Sequence, residues 1–415
     1  MTSVNPASAR GSRRAWLMLI VLTMLTTAGM TVVLPILPFV VLRYVPDQGS
    51  LAVWVGVLET VNALCAFLVA PVLGRLSDRI GRRPIIIVAA FGAALGYLVF
   101  GIGGAIWMLL LGRIIQGATA GDLPALFAYL ADITPPEQRA KRFGLLGALS
   151  GIGTMVGPAV GGLLAAIDVD LPVFVTAGVA ALIAVLSIFL LPESLAPEKR
   201  TPKLDLAALN PFVSIKEAFT RRELRGLLIG FVLVTVPFTF FVNNFSVLAL
   251  DAIQWNATAI GLLTAAVGII DILIQGVLLG VLLPRIGERG VIVSGIVGQA
   301  VGLLALALVG SLLAQPWLFI VGTLVLAAGQ GGATAAMDGV MSNSVGDGEQ
   351  GWLAGATQSI NSGIGVIAPL LAGLLYSGVG HSAPYWLGLA MFLAAAIVLG
   401  RARIQSAAVA QPVDD

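Results

Sequence analysis

Residues 74–83 of the chain read GRLSDRIGRR, and residues 280–289 read GVLLPRIGER. The two stretches share six identical positions at a constant offset of 206 residues, with Gly74, Leu76, Arg79, Ile80, Gly81 and Arg83 as the first copies. The same offset takes Asp132 to Asp338. This pattern predicts a duplicated unit. In membrane proteins, two related bundles can rock about a central site, so the duplication favours a secondary transporter over a channel or an intramembrane enzyme.

The composition places this duplicated unit in a membrane. Of 415 residues, 58% are hydrophobic and only 11% are charged, and the mean hydropathy is +1.00. Soluble domains carry about 25% charged residues, so the composition excludes an ordinary soluble enzyme. Glycine is abundant, with 50 residues, as expected where helices pack closely in lipid.

Apolar runs long enough to cross a bilayer divide the chain into two sets of six. They are residues 15–41, 52–73, 84–104, 106–131, 143–166, 171–191, 226–250, 258–282, 290–312, 316–340, 352–377 and 384–400. The sequence therefore predicts an all-α membrane protein with twelve transmembrane helices in two pseudo-symmetric six-helix bundles, residues 1–191 and 226–415. Residues 192–225 are predicted to form a central cytoplasmic loop with an amphipathic surface helix near Pro211–Arg222.

The basic residues predict how the chain is oriented. If the N-terminus is cytoplasmic, all but two of the 23 lysines and arginines fall in cytoplasmic segments, the exceptions being Arg43 and Arg113. The seven tryptophans fall near predicted helix ends, where an aromatic belt lies. We therefore expect a multi-pass protein with both termini in the cytoplasm.

Several site classes are excluded by residue counts. A single cysteine (Cys65) and a single histidine (His381) exclude a disulfide framework, an iron–sulfur site and a multi-histidine metal site. Without a Gly-Lys dipeptide there is no P-loop, so we expect an ion gradient rather than ATP as the energy source, and no cofactor. Because the basic residues lie on one membrane side, the net charge of +2 does not indicate a nucleic-acid partner.

Four ionisable residues lie inside apolar segments, where each is costly and normally faces a cavity or a partner. Glu59 and Arg113 share a depth of roughly 10 Å, so we expect an ion pair, with Asn62 one turn from Glu59 as a further hydrogen-bond partner. Asp122 and Asp271 lie roughly 20 to 25 Å deep. Asp122 is about half a helical turn out of phase with Arg113, so we do not expect these two to face each other.

These depths suggest two roles for the buried carboxylates. Desolvation favours the protonated form of a carboxyl group, whereas a nearby arginine keeps it ionised. Asp122 and Asp271 are therefore the best candidates for carrying a proton, with Glu59 as a third. The alternative is that the Glu59–Arg113 pair only holds two helices together and that both aspartates are hydrogen-bonded packing residues.

A glycine-rich stretch in the fifth segment is suited to close packing. Residues 153–162 read GTMVGPAVGG, in which Gly153, Gly157 and Gly161 are four residues apart and share one helix face. Pro158 removes a backbone donor and can bend the helix. The residues alone thus predict a helix–helix seam with a kink.

Four stretches together resemble the major facilitator superfamily. The 74–83 stretch, including Asp78, matches its loop motif, and residues 153–162 resemble the helix-5 motif of drug:proton antiporters. Residues 113–117, RIIQG, resemble the basic helix-4 motif of that group, and residues 131–144, ADITPPEQRAKRFG, are similar to the bacterial tetracycline-efflux branch.

The resemblance implies roles for these motifs. The loop motif would latch the two bundles on the cytoplasmic side against the start of helix 11, near residues 351–355, through Gly74, Asp78, Arg79, Gly81, Arg82, Arg83 and Asp132. The helix-5 motif would seal the interface between bundles through Gly153, Gly157, Pro158, Gly161 and Gly162. The tetracycline branch has an aspartate in helix 1 where this chain has Thr26, so proton coupling here must use other carboxylates.

The resemblance and the residues together indicate an exporter in a bacterial inner membrane. We expect a monomer that exchanges protons for a small amphiphilic, drug-like compound, as in antibiotic resistance. The substrate-facing residues would be Thr26, Asn62, Arg113, Gln116, Phe241 and Asn244, although the phenylalanines equally suit a lipid-facing position. Two alternatives stay open: a carrier for a specific metabolite such as a sugar or organic acid, and a non-transporting receptor or scaffold.

Overall fold

The computed structural model describes residues 6–45, 48–200, 211–346 and 349–401. Every regular element in this part of the chain is helical, as the hydropathy pattern predicts. The α-helices are α1 (Pro6–Val32), α2 (Leu37–Val41), α3 (Leu51–Ile80), α4 (Arg82–Ile102), α5 (Ile106–Ala118), α6 (Asp122–Ile133), α7 (Pro136–Ala165), α8 (Leu171–Leu190), α9 (Pro211–Thr220), α10 (Arg222–Ile253), α11 (Ala257–Leu273), α12 (Leu279–Ser311), α13 (Pro316–Asn343), α14 (Gln350–Gly378) and α15 (Ala383–Arg401).

Ten helical segments of the described chain are long and apolar enough to cross a membrane. The count differs from twelve because the predicted segment 106–131 is broken into α5 and α6, and because one continuous stretch, Ala257–Ser311, holds two predicted segments. A π-helical turn, Ile274–Leu278, joins α11 to α12. The protein is thus an all-α, multi-pass membrane protein, as predicted.

Two of the predicted segments are not single helices. The segment 15–41 is interrupted between α1 and α2, where Pro35 lacks the N–H that a continuous helix needs. The segment 106–131 is interrupted at residues 119–121, and Pro124 follows within the first turn of α6. Hydropathy does not detect either break because the interrupting residues are themselves apolar or small.

The duplication is visible in backbone geometry. Gly81, between α3 and α4, has φ 115° and ψ 164°, and Gly287, at the matching repeat position inside α12, has φ 67° and ψ 172°. Residues that carry a side chain rarely adopt a positive φ, so both turns favour glycine. The repeated sequence therefore encodes the same sharp turn twice.

The chain forms two compact units. Unit 1 takes its described residues from the ranges 1–210, 243–268 and 365–377, and unit 2 from 211–242, 269–364 and 378–415. Within unit 1, α1 packs on α7, α4 packs on α8, and α5 packs on α3 and α4; within unit 2, α12 packs on α13 and α15. The predicted division at residues 192–225 follows the sequence duplication and stays a prediction.

Unit 1 has a closely packed apolar core. Fully buried apolar side chains from α1, α4, α6 and α8 meet there, among them Leu22, Ile86, Leu126, Tyr129 and Ala184. Close packing of this kind leaves few voids, so the cavities that remain carry information about function.

Candidate functional site

Unit 1 encloses a cavity of about 240 Å³ between α1, α3, α4, α5, α6 and α8. Three of the predicted ionisable residues line it: Glu59 from α3, Arg113 from α5 and Asp122 from α6. The remaining wall is mostly aliphatic, with Tyr97 of α4 as its aromatic member. A concave, largely apolar site with a few converging polar groups is the usual form of a small-molecule or proton site.

The Glu59–Arg113 ion pair is present in this cavity. Arg113 Nη2 lies 2.7 Å from Glu59 Oε1, and the two side chains are 8% and 26% exposed. Arg113 Nη1 also donates to Gln116 Oε1 at 3.2 Å, and the guanidinium carbon lies 5.3 Å from the centre of the Phe100 ring. The arginine is therefore held by three neighbours on three helices.

The spacing suggested that Asn62 would bind Glu59, but Asn62 binds the backbone of Arg113 instead. Its Nδ2 donates to the backbone oxygen of Arg113 at 3.1 Å. This is possible because α5 approaches α3 closely at Gly117, where an added methyl group would collide with the backbone oxygen of Asn62. The amide thus ties α3 to α5 next to the ion pair, and Asn62 still lines the cavity.

Asp122 is the first residue of α6, directly after the break in the predicted helix. It is 8% exposed, and its Oδ1 accepts the backbone N–H of Leu123 at 2.9 Å. The expectation that Asp122 and Arg113 do not face each other was derived for a continuous helix, and it stays a prediction. The break at residues 119–121 resets the helical phase, and both side chains line the same cavity.

Three buried polar atoms of the cavity wall have no hydrogen-bond partner among the described residues. They are Thr26 Oγ1, Arg113 Nε and Gln116 Nε2, and each of these residues is less than 8% exposed. An unpaired buried polar group is costly unless water or a ligand satisfies it. The cavity therefore presents hydrogen-bonding groups that are available to a bound molecule.

Two other predicted residues, Asp271 and Phe241, lie elsewhere. Asp271, near the end of α11 in unit 2, accepts a hydrogen bond from Gln275 Nε2 at 2.9 Å. Phe241 is buried beside Phe238, with ring centres 5.9 Å apart. Neither Asp271 nor Phe241 lines the described cavity.

Asn244 has a packing contact rather than a place in that cavity. It is fully buried and donates to the backbone oxygen of Ala372 at 3.1 Å. It also accepts a hydrogen bond from Asn243 at 3.0 Å. Asn244 thus ties α10 to α14 within unit 1.

The loop motif forms a compact ion cluster. Arg82 Nη1 lies 2.5 Å from Asp78 Oδ1, and Arg82 Nε lies 3.2 Å from Asp132 Oδ2. Within unit 1, Asp78 is therefore paired inside its own motif. Gly74 and Arg79 are exposed. The predicted latch to the start of helix 11 involves the other unit and stays a prediction.

The helix-5 motif packs on two neighbours within unit 1. Methyl groups added at Gly153, Gly157 or Gly161 would collide with Thr27, Thr31 or Val32 of α1. One added at Gly162 would lie 2.8 Å from the backbone oxygen of Ala257 at the start of α11. The predicted seam is therefore real, and it is tight on both sides.

Comparison with known proteins agrees with this architecture. The family model of the Major Facilitator Superfamily matches residues 19–251 and 231–412. The chain belongs to the Major Facilitator Superfamily. It is 35% identical to the class C tetracycline resistance protein of Escherichia coli over 94% of this chain and 95% of that protein. It is 32% identical to the class H tetracycline resistance protein of Pasteurella multocida over 91% of this chain and 92% of that protein.

A solved structure shares the fold. The human organic anion transporter MFSD10 (TETRAN) matches 94% of this chain and 99% of its own, with a TM-score of 0.67 and 21% identity. The resemblance read from the loop, helix-4 and helix-5 motifs is thus confirmed at the level of the family and of its tetracycline-resistance branch.

Glu193 makes a set of backbone contacts that the sequence did not reveal. Its carboxylate accepts the backbone N–H groups of Arg82 at 2.9 Å and Arg83 at 3.3 Å, at the start of α4. It also accepts those of Ser194 at 2.9 Å and Leu195 at 3.1 Å. A carboxylate at a helix N-terminus accepts hydrogen bonds from the unpaired N–H groups and interacts favourably with the positive end of the helix dipole.

Arg83 also anchors the start of α4, and its predicted part in the cytoplasmic latch stays a prediction. Its side chain donates to the backbone oxygens of Ser187, at 3.2 Å, and Ile188, near the end of α8. Only Arg82 of the two adjacent arginines joins the ion cluster with Asp78 and Asp132. The available signal for Glu193 was a carboxylate directly after an apolar segment, while α4 begins without an acidic residue in its first turn.

Proposed function

We propose that this chain is a proton-coupled exporter of small amphiphilic, drug-like compounds that works by alternating access. It is not an enzyme in this proposal, and it uses the proton gradient without a cofactor. The observation that carries the proposal is the cavity that Asp122, at the break between α5 and α6, lines together with the Glu59–Arg113 pair. Similarity to tetracycline resistance proteins supports the drug-like substrate class.

The three carboxylates would have different tasks. Glu59 is held in an ion pair by Arg113. Asp122 is buried, and its carboxylate accepts a hydrogen bond from the backbone N–H of Leu123. Asp122 is therefore suited to bind and release a proton, and Asp271 would be a second carrier in unit 2.

The orientation and partners follow the sequence argument. Both termini and the 74–83 loop would face the cytoplasm of a bacterial cell, and the protein would act as a monomer in the inner membrane. Its partners would be the substrate, protons and lipid, and not nucleic acid. Thr26, Asn62, Arg113 and Gln116 would contact the substrate or its hydration water in the cavity.

The experiment uses purified protein in liposomes that hold a pH-sensitive dye. Tetracycline, ethidium and chloramphenicol are each added under an imposed pH gradient, and proton movement is recorded. We expect substrate-triggered proton movement in the wild-type protein and none in Asp122→Asn or Asp271→Asn. Asp168→Asn is the matched control, because Asp168 is an exposed carboxylate between α7 and α8.

Two outcomes would count against the proposal. Full substrate-triggered proton movement in both Asp122→Asn and Asp271→Asn would remove these residues from the coupling role. No movement with any compound, from protein that unfolds cooperatively in the same detergent, would favour a carrier for a specific metabolite.

A further inference from the structure

A second, smaller cavity lies on the other side of the break between α5 and α6. It has a volume of about 60 Å³ and lies between α3, α4 and α6. Ser77 and Arg82 line it with polar atoms, and Ala70 and Ala128 belong to its otherwise apolar wall. One water needs roughly 10–15 Å³ of such volume, so this cavity has room for several waters.

The two cavities meet at the residues of the break. Ala120 lines both of them, while Gly121 lines only the smaller one and Asp122 only the larger one. A methyl group added at Gly121 would lie 2.8 Å from Leu73 Cδ1. Gly121 therefore separates Asp122 from the smaller cavity in sequence, and the side chains of Leu73 and Ile85 pack against it.

The break is stabilised by backbone hydrogen bonds of its own. Thr119 N–H donates to the Gln116 oxygen at 3.3 Å, Ala120 N–H donates to the Gly117 oxygen at 3.2 Å, and the Gly121 oxygen accepts Ala125 N–H at 3.2 Å. Interrupted transmembrane helices of this kind surround ion and substrate sites in secondary transporters. The repeat-related helix α13 runs unbroken from Pro316 to Asn343, so the duplication alone does not account for the break.

The far end of the smaller cavity is electrostatically compensated. Arg82 carries a positive charge that would repel a proton, but it is paired with Asp78 at 2.5 Å and with Asp132 at 3.2 Å. The Ser77 hydroxyl, which accepts a hydrogen bond from Arg82 Nη1 at 3.2 Å, lies at the same end. A proton that reaches this cluster does not meet an uncompensated cation.

We propose that the smaller cavity is the route by which the proton on Asp122 is released toward the 74–83 loop. The O–H bond of the Asp122 carboxyl breaks, its electron pair stays on the carboxylate, and a water at the break takes the proton. Waters in the smaller cavity then pass a proton to the Ser77–Arg82 end. The groups facing the shared larger cavity from the other helices are Glu59 of α3, Tyr97 of α4 and Arg113 of α5.

This route gives a proton a path through unit 1 that is separate from the substrate's access to the larger cavity. A carrier carboxyl must be reached from two sides in turn, and the break provides the second side. The inference rests on the proposed function, because it takes Asp122 as the proton carrier.

The test measures hydrogen–deuterium exchange of the Asp122 carboxyl by infrared spectroscopy, after the full-length protein in detergent is mixed with mildly acidic D₂O. The C=O band of Asp122 is identified by its loss in Asp122→Asn. Ala128→Leu fills the smaller cavity from α6, and Ala70→Leu fills it from an exposed position on α3, where a larger side chain is easily accommodated.

We expect both leucine variants to slow the exchange by about tenfold or more, equivalent to one decade in a rate. Ala128→Ser, which keeps the cavity open, should exchange at the wild-type rate. So should Ala131→Leu, a matched control on the same helix that is not among the lining residues of either cavity.

The two proposals fail in different ways. If Asp122→Asn lacks the band but both leucine variants exchange at the wild-type rate, the route is wrong while Asp122 remains a proton carrier. If the band persists in Asp122→Asn, Asp122 is not the protonated carboxyl, and the proposed function and the route are both overturned. Slowing in Ala131→Leu equal to that in Ala128→Leu would also contradict the route.

Discussion

The Glu59–Arg113 ion pair allows a quantitative test of how burial controls the contribution of an ion pair to the free energy of unfolding. The two charged atoms lie 2.7 Å apart, and the side chains are mostly shielded from solvent. Removing one partner leaves the other charge buried and uncompensated, which typically costs about 3–5 kcal/mol. Arg113→Gln and Glu59→Gln should therefore each lower the free energy of unfolding by about that amount.

The double variant separates this cost from the value of the pair itself. With both charges removed, no uncompensated charge remains, and replacing a buried pair by neutral groups is often nearly neutral. We expect the double variant to lie closer to the wild type than either single variant does. The resulting coupling energy should be at least about 2 kcal/mol.

A second ion pair provides the control. Arg43 Nη1 lies 2.5 Å from Asp170 Oδ2, but these side chains are 43% and 31% exposed. The hydrogen bond with Asp170 raises the pKa of Arg43, which keeps the guanidinium charged. Exposed pairs contribute about 0–1 kcal/mol. Arg43→Gln should thus change the unfolding free energy by less than about 1 kcal/mol, despite the similar geometry.

The assay is equilibrium unfolding in mixed detergent micelles, followed by tryptophan fluorescence. Additive effects of Glu59→Gln and Arg113→Gln, with no coupling energy, would refute the reasoning from burial. Equal destabilisation in Arg43→Gln and Arg113→Gln would refute it as well.

Three further predictions concern contacts outside the ion pair. Glu193→Ala removes the acceptor of four backbone N–H groups and should destabilise the protein by about 1–3 kcal/mol in the same unfolding assay, with Glu193→Gln closer to wild type. Gly162→Val should reduce substrate transport and lower thermal stability, because even one methyl group would lie 2.8 Å from the backbone oxygen of Ala257; stability and transport equal to wild type would contradict tight packing at this point. Asn244→Ala should cost about 1–3 kcal/mol in unfolding, because it removes the hydrogen bond from the Asn244 amide to the buried backbone oxygen of Ala372; unchanged stability would contradict this packing role.

The sequence predicted the features that depend on composition and spacing. Hydropathy located the membrane segments, because each must match the bilayer thickness. Equal depth in the membrane predicted the Glu59–Arg113 pair, and a spacing of four residues predicted the glycine face on α7. Each of these properties depends on residues near each other in sequence, or on a common reference plane.

The features that the sequence did not predict depend on local backbone irregularity or on distant contacts. Residues 119–121, where the helix breaks, are small and mostly apolar. The hydropathy profile therefore does not change there. As a result, the shared cavity of Arg113 and Asp122 was missed. Glu193 reaches the start of α4 from more than a hundred residues along the chain, and its signal becomes clear only when α4 and the end of α8 are brought together.

The most direct test of proton-coupled export by Asp122 compares two transport modes of the same variant. Liposomes are loaded either with unlabelled tetracycline, to measure exchange with labelled tetracycline, or with buffer, to measure uphill accumulation under a pH gradient. The proposal predicts that wild-type protein carries out both, and that Asp122→Asn keeps exchange but loses the uphill accumulation. Uphill accumulation by Asp122→Asn at the wild-type level would contradict the proposal.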